Sequence, residues 1–297
     1  MFKSPTDWQC VLVLWGNKYG SEDVIRITSN IAKHAASQPT FVLLTDRDRP
    51  DVPEHIIQRL IPDFYLQPRF ESGGCLTKLA IFQKDVLPST RPTVFVDLDT
   101  VIVGDIGQLL TVLTADLRIA MLANNPLSLN RFARLVYRLS NGRIRTRGNS
   151  SFLAFNPVDC YDVDETFRAN SAVEIAAGNK AYVADDKFLS ATFHQEMTAI
   201  PVQMAVKFPR EFMNRFVWLG YLKSMLPWVR KRRASLAAIT FPGSSVDPEK
   251  VIALTDGETV QDTRGRQLIW SDSYLGDTKR VLDAYFDPNA NKDHPPK

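Results

Sequence analysis

The chain has 297 residues, 44% of them hydrophobic and 23% charged, which is ordinary globular material for one large domain or two small ones. Its three cysteines, Cys10, Cys75 and Cys160, are odd in number, far apart and without C-x-x-C spacing, which suggests neither a disulfide framework nor a zinc site and fits a reducing cytoplasm. The net charge of +3 is uneven: residues 201–240 carry eight basic side chains against Glu211, residues 131–147 carry six arginines and no acid, and the remainder therefore stands at −10. That concentration points to an anionic partner.

The opening "MFKSPTDWQCVLVLW" lacks a small-residue cleavage site and reads as a first strand at 10–15. A helix is expected from Ser21, whose hydroxyl would cap it, with Glu22 and Asp23 in its first turn and Val24, Ile27 and Ile31 as its apolar stripe. "TFVLLT" (40–45) is a second strand, followed by a Pro-rich connection through Pro50, Pro53, Pro62 and Pro68. Residues 73–87 read as a helix stopped by Pro88 and feeding the strand "TVFVD" (93–97). Further strands are expected at 117–123 and 150–156, with Arg131, Arg134 and Arg138 at helical spacing between them. The region 159–194 is mainly helical, 198–206 extended, and 207–233 apolar, aromatic and basic. Alternating strands and helices predict an α/β fold with a mainly parallel sheet. No linker divides residues 1–285, which are expected to form one domain, and 286–297 is expected to be disordered. No run approaches the roughly 20 apolar residues of a spanning helix.

"TVFVDLDTVIVGDI" (93–106) ends a β-branched run on two aspartates. In a strand, Asp97 and Asp99 would share one face and Leu98 the other. Two carboxylates so close repel unless a cation or proton lies between them. Mg²⁺ or Mn²⁺ suits such oxygen ligands and leaves positions for substrate phosphates. At the carboxyl end of a parallel strand this makes a nucleotide site. "VFVDLDTVI" also resembles the motif of haloacid-dehalogenase-like phosphatases, with a nucleophilic and an acid/base aspartate. That motif normally lies on the first strand of its domain, whereas two strand candidates precede this one.

With its neighbours, the motif resembles the D-x-D of glycosyltransferases with the GT-A fold, a Rossmann-like nucleotide-diphospho-sugar transferase architecture, and in particular family 8. "VLVLWGNKYG" resembles the opening strand and loop, with Tyr19 in the place of the residue that stacks on the base. Lys78 in "TKLAIF" matches a lysine shortly before the D-x-D strand. "NSSFLAFNP" resembles N-S-G-V-M-x-F-N, which brings Asn149 and Ser150 to the donor sugar. "ADDKFLS" matches D-Q-x-x-L, placing Asp185, and Asp186 in the glutamine position, near the reacting carbon. The resemblance spans residues 10 to about 190.

It implies a metal-dependent retaining transferase of the kind that builds cell-envelope polysaccharides, moving a hexose from a UDP-sugar to a saccharide or lipid-linked, anionic acceptor. Asp97 and Asp99 would hold Mn²⁺ or Mg²⁺, Leu98 would lie against the nucleotide between them, Lys78 would assist at the diphosphate, and Tyr19 and Asp46 would hold the nucleoside. Lys78, Asp185 and Asp186 are the expected catalytic residues. One departure concerns the late histidine that closes the family's metal site: Thr240 or Pro242 stands there in "ITFPGSSVDP". The metal is then held by the two aspartates with phosphate and water, or held weakly, or the site is inactive; beside the phosphatase, the other alternative is a non-catalytic nucleotide-sugar or membrane-surface binding protein. Gly243 is retained and lets the backbone approach the pyrophosphate. His34, His55, His194 and His294 read as structural or solvated.

"FMNRFVWLGYLKSMLPWVRKRR" would either lie on an anionic membrane surface or pack on the sheet with a solvated basic end. The expected location is cytoplasmic, with peripheral contact on the inner face of the membrane. Neither basic segment has the context of a nucleic-acid module.

Overall fold

The computed structural model describes residues 6–71, 75–125, 128–242 and 246–286. It divides into two compact units, Met1–Leu98 with Gly107–Ile200, and Asp99–Ile106 with Pro201–Lys297. The first crossing falls between Leu98 and Asp99, inside "DLD", so no change of composition marks it.

In the first unit the elements run β1 (Gln9–Leu14), α1 (Ser21–His34), β2 (Thr40–Thr45), β3 (Ile56–Leu60), α2 (Pro68–Glu71) and β4 (Thr93–Val96). After β5 (Thr100–Ile102), which belongs to the second unit, come β6 (Ile119–Ala123), α3 (Arg131–Leu139), β7 (Gly148–Phe155), α4 (Tyr161–Ala176), α5 (Asp185–Thr192) and β8 (Met197–Ile200). Seven strands form one sheet in the order β3-β2-β1-β4-β7-β6-β8. Only β7 opposes its neighbours, so the sheet is mainly parallel as expected. The fully buried strands β1 and β4 read as unbroken apolar runs because both faces are covered.

Three local expectations are corrected. Helix α1 begins at Ser21 as expected, but its capping position is Gly20, whose N–H donates to the Asp23 carboxylate at 2.9 Å; Ser21 is the first helical residue and does not cap it. The Pro-rich connection contains β3, an edge strand short enough to fit between Pro53 and Pro62. Of the helix expected at 73–87, the described residues 75–87 do not make an α-helix. Leu76–Phe82 form a 3₁₀ segment, entered through Cys75 at φ 53°. All seven of its side chains are buried, Lys78 included, so it has no solvent face to pattern as an amphipathic helix. Below it Tyr65, Phe70, Phe167 and Phe188 pack in one core, each worth roughly 2–3 kcal/mol of burial.

In the second unit, the chain after β5 continues at β9 (Ala205–Lys207), α6 (Phe208–Phe212), α7 (Val217–Met225), α8 (Pro227–Ala234), β10 (Ala238–Thr240) and α9 (Pro248–Ile252). The hairpin β11 (Thr259–Gln261) and β12 (Gln267–Ile269) follows, then α10 (Asp272–Leu275) and α11 (Asp277–Phe286). A three-stranded sheet has the order β5-β10-β9. Pro227 separates α7 from α8, as its missing N–H requires. Phe286, expected in the tail, is the last residue of α11, and the rest of that expectation, 287–297, lies outside the described residues.

Glu211 organises this unit. Its buried carboxylate accepts from Arg232 Nη2 at 2.6 Å and Arg233 Nε at 3.0 Å, with Lys223 Nζ at 3.5 Å. Burial alone would raise the Glu211 pKa, but Lys223, Arg233 and Arg232 outweigh it and hold it below the usual glutamate value. Glu211→Gln is therefore expected to destabilise the protein by about 3 kcal/mol at neutral pH in urea unfolding, because it strands the buried Arg233 cation beside half-buried Arg232 and Lys223. The folded pKa being depressed, this stability is present above the unfolded value and is lost as pH falls through the folded one. The deficit of the variant should shrink on acidification.

Candidate active site

The chain leaves β1 for β2 and β3 on one side and returns to β4 on the other. Such a reversal opens a crevice beyond the carboxyl ends of the two central strands. The loop after β1, Asp46 after β2 and Asp97 after β4 all lie at this edge. Because β7 runs antiparallel to β4, its first residues, Asn149 and Ser150, arrive at the same edge.

The two loops at the β1 and β2 ends are tied together by charge. Asp46 accepts from the Gly16 N–H at 3.0 Å and from Arg49 Nη2 at 2.9 Å, with Arg47 at 3.1 Å. Burial opposes ionisation of Asp46, but the Gly16 N–H and the two arginines prevail and lower its pKa. Arg47 also donates to Asn17 Oδ1 at 2.8 Å, and the Lys18 ammonium lies 4.6 Å from the centre of the Tyr19 ring. Neither arginine is marked by a motif.

The D-x-D segment differs from the strand expected. The Asp97 N–H still donates to Ser151 O at 2.9 Å, but the strand ends at Val96 and Leu98–Asp99 form a turn. The Asp99 carbonyl accepts from the Phe241 N–H at 3.1 Å in the second unit, where β5 joins a different sheet. Strand alternation therefore does not set the two aspartates: the chain leaves the apolar sheet at its first charge. Leu98 between them is buried.

Lys78 is the centre of the first unit's polar cluster. Its Nζ donates to Asp97 Oδ2 at 2.5 Å. Burial favours the neutral amine, yet Asp97 and then Asp185 outweigh it and hold the ammonium above its ordinary pKa. Asp185, at the start of α5, is wholly enclosed. Burial pushes its pKa up to about 6, against the pull of Lys78 and the Ser150 hydroxyl. Its Oδ1 accepts from the Asp186 N–H at 2.7 Å, while its Oδ2 is buried with no hydrogen-bond partner. Asn149 Oδ1 is in the same condition.

A bulge in β7 presents Asn149 and Ser150. Met121 pairs with Leu153 but Leu122 with Asn149, so Ser150 to Phe152 bow out against a single step of β6. Gly148 permits this, since a Cβ there would lie 2.0 Å from Met121 Sδ. Its N–H donates to Ser190 Oγ at 3.0 Å, fastening the bulge to α5.

Asp186 is held differently from Asp185. Arg147 grips it through both oxygens, Nε to Oδ2 at 2.9 Å and Nη2 to Oδ1 at 2.7 Å. Sequence reasoning missed Arg147, which looked like one more member of an arginine-rich stretch. Its placement depends on His194, whose Nε2 accepts from the Thr146 N–H at 3.2 Å and whose ring stacks on Tyr137. His194 is buried in this contact. Burial, then Arg134 and Arg145, keep its pKa low.

In the second unit Thr240 pairs across the sheet with Thr100, and both hydroxyls are buried without hydrogen-bond partners. Gly243 lies outside the described residues. No group of three His, Cys, Asp or Glu side chains assembles a metal cage among the described residues. Asp97 and Asp99 are two hard carboxylates, and this donor set fits an ion such as Mg²⁺ or Mn²⁺ that takes its other ligands from substrate phosphates and water.

Neither a family model nor a curated protein sequence matches the chain. Solved structures do. A glutamine-to-glutamate active-site mutant of LgtC superposes with a TM-score of 0.54 at 11% identity, over 82% of this chain and 89% of that one. Galactosyltransferase LgtC in complex with donor and acceptor sugar analogs gives 0.53 at 12% identity, over 82% and 88%. The bifunctional glycosyltransferase WbbM gives 0.50 at 13% identity, over 93% of this chain and 50% of the longer one. These likenesses and the mainly parallel, helix-flanked sheet establish the fold: it is that of the GT-A glycosyltransferases.

Proposed function

We propose that the chain is a retaining glycosyltransferase that moves a hexose from a nucleotide-diphosphate sugar, most simply a UDP-sugar, to a saccharide or lipid-linked acceptor of the cell envelope. The observation that carries this reading is the pair of buried acceptors at the sheet's switch point, Asn149 Oδ1 and Asp185 Oδ2, which no protein donor satisfies. Leaving such groups unmet costs roughly 1–3 kcal/mol each, and the hydroxyls of a bound sugar are donors of the kind they lack. The GT-A fold of LgtC, whose structure holds donor and acceptor sugar analogs, supports the same reading.

Asp97 and Asp99 would hold Mn²⁺ or Mg²⁺, which when bound supplies Lewis-acid charge to the diphosphate. Lys78 adds a fixed positive charge at the D-x-D turn, where negative charge grows as the bond between sugar and phosphate breaks. Asp185 keeps one carboxylate oxygen for the sugar. Asp186 has both oxygens committed to Arg147, so it acts as a positioning residue that fixes the guanidinium beside α5. Asp46, braced by Gly16, Arg47 and Arg49, sets the loop carrying Tyr19 for the nucleoside.

The test is release of nucleoside diphosphate from a panel of nucleotide sugars with Mn²⁺ and saccharide acceptors. Turnover is expected with a UDP-sugar and should fall about 100-fold or more in Asp99→Asn and in Asp185→Asn. Hydrolysis of simple phosphomonoesters, lost in Asp97→Asn, with no sugar transfer, would overturn the proposal in favour of a phosphatase. The acid limb is set by Asp185, whose carboxylate gains a proton below about 6. Activity per donor bound should therefore be level above that pH and decline below it. Lys78→Met, which removes the main charge stabilising the Asp185 anion, should move the limb to higher pH.

A further inference from the structure

Helix α7 is inside out. Gly220 and Ser224 are buried and Tyr221 packs on Tyr274, whereas Trp218 and Leu222 are 59% and 54% exposed and Met225 is 64% exposed. Trp228, at the start of α8, is 65% exposed. Gly220 lets the helix lie directly on Tyr274, since a Cβ at that position would fall 1.6 Å from Tyr274 Oη. Along the sequence no acid occurs between Glu211 and Asp247, while six basic residues do; two acids from further along the chain, Asp272 and Asp277, line a pocket with Ser224 and Arg230. Lys223, Arg232 and Arg233 belong to Glu211, which leaves exposed Arg215, Arg230 and Lys231 in no ion pair among the described residues.

We infer that α7 and the start of α8 form a docking surface for the face of an anionic lipid bilayer, with Trp218, Leu222, Met225 and Trp228 entering the headgroup boundary and Arg215, Arg230 and Lys231 on lipid phosphates. Exposed apolar patches of this kind mark interaction sites, and tryptophans beside cations suit the amphipathic interface of a charged membrane. Charge decides among occupants. A second copy would bring the same cations face to face. The chain's own last segment, DPNANKDHPPK (287–297), has no large apolar side chain to cover the stripe. The contact is peripheral: among the described residues no helix is long and apolar enough to cross a membrane.

The first unit carries the same chemistry independently. On α3 and the loop after it, Phe132, Leu135, Leu139 and Ile144 are exposed. No acid occurs from residue 117 to 158, a span with seven arginines. The inference does not rest on the transferase reading.

The test is co-sedimentation of the full chain with phosphatidylglycerol-containing vesicles and with pure phosphatidylcholine vesicles, alongside light scattering of the protein alone. Binding is expected to the anionic vesicles only, with a blue shift of tryptophan emission, and to weaken as salt rises past ~0.15 M. Trp218→Ser with Trp228→Ser, and separately Arg230→Glu with Lys231→Glu, should each lower it about tenfold or more. All four positions are exposed, and an unchanged thermal transition checks that the variants fold. Equal binding to both vesicle types, or no loss in either variant, would overturn the inference. So would a dimer in light scattering that the tryptophan variants dissociate, which would make the face a contact between copies.

Discussion

The buried ion pair of Lys78 with Asp97 is the interaction on which the rest of the site depends. Three carboxylates, at Asp97, Asp185 and Asp186, are drawn to one edge of an apolar sheet, and buried charge without a partner is costly. One ammonium meets Asp97 directly and acts on Asp185 through space, and Arg147 neutralises Asp186. Lys78 reaches that position because the entire 3₁₀ segment around it is buried, so backbone packing fixes where the charge goes. Each aspartate thereby has its own electrostatic setting: one paired with lysine, one enclosed and raised in pKa, one clamped by arginine.

Those settings separate chemical roles that residue type alone does not. Asp185 and Asp186 are neighbours of the same kind at the start of one helix. Only Asp185 retains a buried oxygen without a donor, while both oxygens of Asp186 are occupied. The β7 bulge does the same for its strand, taking Ser150 to Phe152 out of the ladder with β6 next to the paired Asn149, at the edge where Asp97 follows β4. The protein tolerates these local defects in pairing and hydrogen bonding because the aromatic core beneath is large and closed. The outward apolar stripe of α7 is a second departure from a stability optimum, on a helix whose inner face meets Tyr274 closely at Gly220.

Much of this was legible in the chain itself. Strands β1, β2 and β4 are continuous apolar runs whose ends are sharp, and the residues drawn to the sheet edge, Lys78, Asp97, Asn149, Ser150, Asp185 and Asp186, sit in recognisable motifs. What could not be read depends on tertiary context. The 3₁₀ form of 76–82 arises because every side chain there is buried, a state with no periodic signature. The D-x-D turn falls where the chain passes from one compact unit to the other, which no linker composition announces. Arg47, Arg49 and Arg147 carry no motif, and an arginine in a basic stretch looks solvated until its carboxylate partner, distant in sequence for Arg147, is known.

The central claim is that a nucleotide diphosphate binds at the carboxyl edge of the sheet through Asp97, Asp99 and Lys78. Titration calorimetry of UDP into the protein, with and without Mn²⁺, addresses it most directly. The account predicts ion-dependent binding that weakens about tenfold or more in Asp97→Asn, since one of two carboxylate ligands is lost. Binding of equal strength without the ion and in that variant, or no binding to the unaltered protein, would contradict it.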